Sequence, residues 1–329
     1  YLISRVGMEV GGQQHTARSR NDLHATVDRM VTRNALLKLE KLINKLRRTL
    51  LEVARRNTDA VMSGHTHLQP SEPITFAHYL SAVSAALTRD YKRLAHAWES
   101  TNLNPLGGGS MGSTTWNIDR NYTAKLLGFE GLVENSMDCV CSRDYLLEIM
   151  ADISILASTL VRMTTDMRIW ATPDYGYVEV ADKVAVCSSI MPQKKNAYAA
   201  ELMRSESEHF LGYTTTAFSS AASTTFFPTH ETFLFFDTFW EHIDRLVCNI
   251  GLLSLNIEQS HINKETALSR TRDGFTAATA MAEQLTKETG LPFTQTHHVV
   301  GGMIRTLMEK DALAVTNMTP ELLLAQSQK

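Results

Sequence analysis

LHATVDRMVTRNALLKLEKLINKLRRTLLEVARR, residues Leu23 to Arg56, sets apolar side chains at Val27, Met30, Val31, Ala35, Leu39, Leu42, Leu46, Leu50 and Val53. Steps of three and four with polar residues between them are helical spacing. Neither Gly nor Pro interrupts the run. About 34 residues at a rise of about 1.5 Å give a helix of about 50 Å, several times the usual length.

Four further segments read in the same way. One carries Phe76, Leu80, Val83, Leu87, Tyr91, Leu94 and Trp98, with Pro73 suited to its first turn. A third spans about 144–170, a fourth runs from Asn196 to about Ala222, and a fifth from near Phe233 to about Glu258. No segment alternates with strand period over a useful length. The expected fold is therefore all-α, an extended bundle of long amphipathic helices. From Thr266 the helices shorten and Gly274, Gly290, Gly301 and Gly302 appear, which marks a small C-terminal helical domain. The expected division is 1–22, 23–258 and 259–329. The long helices are apolar on more than one face, so helices of other subunits are expected to cover the remainder.

The chain has 329 residues, with 32 basic and 35 acidic residues and a net charge of −3. No global basic field exists to hold nucleic acid, so an anionic ligand has to be captured by local Arg and Lys. No stretch of about 20 apolar residues suggests a membrane span. The start Tyr1-Leu-Ile-Ser has neither an initiator Met nor a signal peptide, which reads as a fragment or a processed chain. Cys139, Cys141, Cys187 and Cys248 show no metal spacing and read as reduced thiols of a cytoplasmic protein.

Four polar stretches interrupt the helices. In Cys187-Ser-Ser-Ile-Met-Pro-Gln-Lys-Lys-Asn-Ala-Tyr-Ala-Ala-Glu201, the hydroxyls of Ser188 and Ser189 precede Lys194, Lys195 and Asn196. Pro192 forbids a regular helix, and Lys194 and Asn196 are expected at a helix start, where unpaired N–H groups favour anions. The set suits a carboxylate ligand; it also suits a plain capping loop with surface lysines. In His15-Thr-Ala-Arg-Ser-Arg-Asn-Asp22, two arginines flank Ser19, and Arg matches a carboxylate fork. The plainer reading is a helix start capped by Asn21 or Asp22. Gly64-His-Thr-His-Leu-Gln-Pro70 has two histidines, but no Cys, Asp or Glu nearby completes a metal set, so none is expected. Asn104–Thr115 is glycine-rich yet has no Lys-Ser/Thr after the glycines, so it fails as a phosphate loop and reads as tight turns.

Together these blocks carry a resemblance. Ser-Ser-x-Met-Pro-x-Lys-x-Asn-x4-Glu, at 188–201, resembles the signature of the fumarase/aspartase superfamily, and its variant here is most similar to the argininosuccinate lyase branch. Thr-Ala-Arg-Ser-Arg-Asn-Asp at 16–22 and Thr-His-Leu-Gln-Pro at 66–70 resemble two more blocks of that branch.

The resemblance implies a homotetramer with a central multi-helix bundle and active sites shared between subunits. It implies a carbon–nitrogen lyase that removes fumarate from an N-substituted aspartate, or adds an amine to fumarate, without metal or organic cofactor. It implies Ser188 as base, with Ser189 as the next candidate, and His67 in acid–base chemistry with Glu201 orienting it. Ser19, Arg20, Asn21, Thr66, Gln69, Ser189, Met191, Lys194 and Asn196 then bind substrate. The partners are small molecules, a dicarboxylate and an amine, with neither nucleic acid nor membrane. On this reading residues 1–22 are the remnant of an N-terminal helical domain that is mostly absent.

Three departures stand out. Cys187 replaces the branch's usual Gly, and Ala197 its usual Pro. Between Ser223 and Asp237 the Tyr, Gln and Lys that hold the amino-acid end of argininosuccinate are missing, and Phe226, Phe227, Phe233, Phe235 and Phe236 stand there with threonines. The expectation is intact elimination chemistry with altered amine recognition. The alternatives are a catalytically silent, crystallin-like structural protein, or another superfamily member such as adenylosuccinate lyase or a cycloisomerase. The 16–21 block argues against the last two.

Overall fold

The computed structural model describes residues 1–229, 236, 238–312 and 315–328. Twelve α-helices, two short 3-10 helices (Gly12–His15 and Val315–Asn317) and four two-stranded ladders make up the regular structure of these residues. In order they are α1 (Leu2–Gly11), α2 (Arg20–Arg56), β1 (Val61–Thr66), β2 (Gln69–Thr75), α3 (Phe76–Thr101), β3 (Leu103–Asn104), α4 (Arg120–Leu127), β4 (Gly131–Leu132), α5 (Ser136–Cys141) and α6 (Asp144–Trp170). They continue with β5 (Val178–Glu179), β6 (Val186–Cys187), β7 (Lys195–Asn196), α7 (Tyr198–Ala222), α8 (Phe239–Gln259) and β8 (His261–Ile262). The last four are α9 (Lys264–Asp273), α10 (Ala278–Thr289), α11 (Phe293–Glu309) and α12 (Pro320–Ser327). The all-α, long-helix architecture expected from the spacing is present. Among the described residues, no helix is long and apolar enough to cross a membrane.

Two compact units divide the chain: residues 1–47, 86–164 and 199–254 form the first, and 48–85, 165–198 and 255–329 the second. In the first unit the core is a set of seams. Along α8, Phe239, Ile243, Leu246, Ile250 and Leu253 alternate by four and three, and each is at most 2% exposed. Leu36, Leu39, Ile43 and Leu46 do the same on α2. Each such side chain contributes about 1.5–3 kcal/mol through area removed from water.

Polar contacts set the register between these helices. The Trp240 indole donates to Thr32 Oγ1 at 3.2 Å, and Ser154 Oγ donates to Thr214 Oγ1 at 3.0 Å. Arg29 is buried, donates to Ser100 O at 2.5 Å, and lies 4.1 Å from the centre of the Tyr145 ring. Burial lowers the Arg29 guanidinium from its ordinary value and pushes the enclosed Tyr145 phenol up to about 12.

The structure corrects several expectations. Val27 and Val31 are 46% and 42% exposed, while Leu36 and Ile43 take core positions. A second apolar stripe therefore lies outside the seam that this chain covers. Residues 61–75 form an antiparallel hairpin, although the sequence shows no strand period there. Pro73 sits opposite Ser63 in that ladder, not in the first turn of α3. The helix begins at Phe76, where Thr75 Oγ1 accepts from the His78 N–H at 3.1 Å. The fourth helix starts at Tyr198, because Asn196 pairs with Val186. The fifth is described from Phe239; its expected start at Phe233, and Phe235 and Asp237, lie outside the described residues.

Ile250→Ala is expected to lower the unfolding free energy by about 2–5 kcal/mol, read from urea unfolding. A loss below about 1 kcal/mol would mean that the α8 seam is not core.

Candidate functional site

The first block is a helix start, and its cap differs from the one expected. Ser19 Oγ accepts from the Asn21 N–H at 3.2 Å, and Asp22 Oδ1 accepts from the Ser19 N–H at 3.0 Å. This reciprocal arrangement is a capping box with Ser19 as the cap, rather than Asn21 or Asp22. Asp22 does more. Its Oδ2 accepts from the N–H groups of Gly107 and Gly109, both at 3.0 Å, and the residue is fully buried. The glycine-rich loop therefore does present N–H groups to an anion, and that anion is Asp22 of the same chain.

Asn21 Nδ2 ties the same loop by donating to Ser110 O at 3.1 Å. Gly109 has φ +64, and a Cβ there would stand 2.5 Å from Ser113 O, so the loop closes only around glycine. Arg20 projects into solvent with no hydrogen-bond or ion-pair partner among the described residues.

The second block is the tip of the β1–β2 hairpin. Thr66 pairs with Gln69, and the two residues between them, His67 and Leu68, have φ of 54° and 62°. Such a turn matches strand twist and is usually built from Asn and Gly. His and a 70%-exposed Leu occupy it here. For Leu the left-handed region is an outlier, and strain of this kind gathers at functional turns. Thr66, His67 and Gln69 are all exposed. The His67 imidazole has no hydrogen-bond partner among the described residues.

The third block is a loop closed by the β6–β7 ladder, in which Val186 pairs with Asn196 and Cys187 with Lys195. Ser188 Oγ accepts from the N–H groups of Met191 at 3.2 Å and Ile190 at 3.4 Å. Asn196 Nδ2 donates to Val186 O at 2.8 Å, and the Lys194 N–H donates to Met191 O at 3.1 Å. The two lysines diverge. Lys195 Nζ is 2.7 Å from Asp182 Oδ1 and 3.0 Å from Glu179 Oε1, and these bonds raise its pKa, Asp182 the more strongly. Lys194 is exposed and has no partner among the described residues. Ser189 and Met191 are exposed on the same loop, and Glu201 lies in the first turn of α7.

Ser188, Ser189, Met191, Lys194 and Asn196 thus share one loop; Thr66, His67 and Gln69 share one turn; Ser19, Arg20 and Asn21 share one helix start. Among the described residues, no hydrogen bond or ion pair joins the turn to the loop. No three His, Cys, Asp or Glu side chains among the described residues are grouped to hold a metal. Sequence reasoning named Asp22 only as a possible cap and missed its role as acceptor, although Ser-x-x-Asp ahead of an apolar run is the capping-box pattern that would have found its bond to Ser19. It also missed that Lys195 is already paired. In the 223–237 segment, Phe226 and Phe227 are 70% and 55% exposed, while Phe236 is buried core.

Comparison with known proteins gives two family matches. A lyase family model covers residues 2–212, and a model of the argininosuccinate lyase C-terminal region covers 275–328. Argininosuccinate lyase 1 of Shouchella clausii is 39% identical over 92% of this chain and 61% of its own length. The argininosuccinate lyase of Acetivibrio thermocellus is 38% identical over 94% of this chain and 67% of its own length. This chain therefore spans about two thirds of the curated relatives it matches. Among solved structures, an EDDS lyase variant with bound fumarate superposes with a TM-score of 0.91 at 27% identity, covering 99% of this chain and 65% of that one.

Asp22→Ala would remove half of the capping box and leave two buried N–H groups without an acceptor. Thermal unfolding is expected to show a loss of about 2–4 kcal/mol. A change under about 0.5 kcal/mol, the size of an ordinary surface substitution, would show that the 107–109 loop does not depend on this carboxylate.

Proposed function

This chain belongs to the argininosuccinate lyase family, and from that premise we propose that it is a carbon–nitrogen lyase that eliminates fumarate from an N-substituted aspartate. The observation that carries the reading is the 188–196 loop. Two backbone N–H groups point at Ser188 Oγ, and the Lys194 ammonium, without a partner among the described residues, stands on the same loop.

A serine hydroxyl is a weak base until its alkoxide is stabilised, and oriented N–H dipoles supply that stabilisation. In the proposed mechanism the Ser188 alkoxide removes the proton from the carbon beside a substrate carboxylate. The electron pair delocalises into that carboxylate as an aci-carboxylate dianion. Lys194 and the second N–H of the Asn196 amide neutralise the growing charge, the largest contribution in catalysis of this kind. The carbon–nitrogen bond then breaks, and His67, oriented by Glu201, returns a proton to the leaving amine. Arg20, with Ser19, Asn21, Thr66 and Gln69, binds the carboxylates of the substrate.

Assembly is the second part of the proposal. Val27 and Val31 on α2, Ile155 on α6, Leu211 and Phe218 on α7 and Leu255 on α8 are all at least 39% exposed. Apolar stripes on long helices call for helices to cover them, which supports a homotetramer with sites assembled from several subunits. The amine is the third part. The absence of Tyr, Gln and Lys from 223–237, with exposed Phe226 and Phe227 there, favours an amine other than the one released from argininosuccinate.

Ser188→Ala is expected to lower kcat by about two to four orders of magnitude while leaving KM nearly unchanged. Retention of near-wild-type kcat would move the base to Ser189. Lys194→Met should raise KM and lower kcat together, whereas Lys195→Met should change both much less; equal effects would refute the division between the two lysines. Mixed assemblies of His67→Asn and Ser188→Ala chains should regain part of the activity, and none would be regained if each site were built within one chain. The full-length protein is expected to cleave argininosuccinate with a kcat/KM below about 10⁴ M⁻¹s⁻¹ and to add other amines to fumarate. A higher value would make argininosuccinate its substrate.

A further inference from the structure

The second unit holds a pocket of about 320 Å³ that none of the chemistry above uses. His65, Leu68, Tyr79, Asp166, Trp170 and Tyr175 line it. Asp166 is the only acidic group among the described residues that line it. Its Oδ2 accepts from the Tyr79 hydroxyl at 2.8 Å, and it has no ion-pair partner among the described residues. Aromatic rings form the walls. The Trp170 ring meets that of Tyr79 edge-on at 4.6 Å, with Phe76 behind it at 6.3 Å. The Tyr175 ring stands perpendicular to Tyr177 at 5.7 Å and lies 5.9 Å from the ring of His65. His65 does not neutralise Asp166. Burial lowers its pKa below the usual imidazole value and outweighs the opposing pull of Asp166, so the ring is neutral at pH 7.

A half-buried carboxylate with one neutral donor is under-compensated, because taking a charge out of water without a partner is costly. What would compensate it is a cation able to lie against aromatic faces. A hard metal ion does not fit, since it needs six or more oxygen ligands and the pocket offers one carboxylate. An alkylammonium fits on both counts: the charged head meets Asp166, and the hydrocarbon lies along the rings.

We propose that this pocket binds a primary alkylammonium ion, with its ammonium on Asp166 and its chain against Trp170 and Tyr175. The site stands whether or not the chain is a lyase.

The test is isothermal titration of the protein with butylammonium chloride, against sodium chloride at equal ionic strength and against butan-1-ol. Saturable binding of butylammonium is expected, with no binding of butan-1-ol. Asp166→Asn should weaken it about tenfold or more, and Tyr175→Leu severalfold. Ser188→Ala should bind as the unaltered protein does. No saturable binding, equal binding of butan-1-ol, or full affinity in Asp166→Asn would overturn the proposal. Loss of binding in Ser188→Ala would overturn it too, by placing the ion at the 188–196 loop. Should Asp166→Asn fail to fold, Tyr175→Leu and the butan-1-ol comparison decide.

Discussion

The fully buried carboxylate of Asp22 accepts three backbone N–H groups: Ser19 on one oxygen, Gly107 and Gly109 on the other. A buried carboxylate is tolerable only when hydrogen bonds replace its water, and three charge-assisted bonds do so. The same group starts α2 and fixes the turn of the glycine-rich loop. Arg20 and Asn21 therefore leave the helix start in defined directions. Asn21 is drawn to Ser110 O, while Arg20 stays exposed to solvent. The helix dipole adds to this, since an acidic residue in the first turn complements the unpaired N–H groups there.

A division of labour between neighbours recurs in the 188–196 loop. Lys195 bonds Asp182 and Glu179 and so holds the loop to the preceding segment, while the Lys194 ammonium has no partner among the described residues. Asn196 closes the base of the loop through Val186 O. Ser188 turns the chain back on itself by accepting from Ile190 and Met191. That local turn orients the hydroxyl, and the same N–H groups that fix its position would stabilise its alkoxide. The hairpin tip is built on the opposite principle. His67 and Leu68 occupy left-handed backbone that their side chains disfavour, and the flanking ladder has to sustain it.

The long helices bear two apolar requirements at once. One stripe is satisfied within the chain, as Leu39, Ile43 and Leu46 of α2 are completely buried. The other, at Val27 and Val31, is left to solvent by everything described here. A helix with a single stripe is complete in one chain; a helix with two calls for a further partner.

Helix existence and length were legible from the sequence because spacing by three and four over more than 20 residues has no competing explanation. The third long helix, expected at 144–170, is Asp144–Trp170. The three polar blocks were legible as well, because Ser, Thr, His, Arg and Lys crowd into interruptions between helices. The hairpin at 61–75 was not. Met62 and Ser63 are buried in succession, the ladder shifts register between Ser63 and His65, and two turn residues adopt positive φ, none of which alternation or turn composition announces. Which lysine would pair was not legible either, since Lys194 and Lys195 are chemically identical and only the ladder at 195–196 turns one of them toward Asp182 and Glu179. Local spacing is written into the chain one residue at a time. The choice between two equal groups is made only when residues 179–187 fold back against 195–196, so it belongs to the folded structure and not to the order of residues.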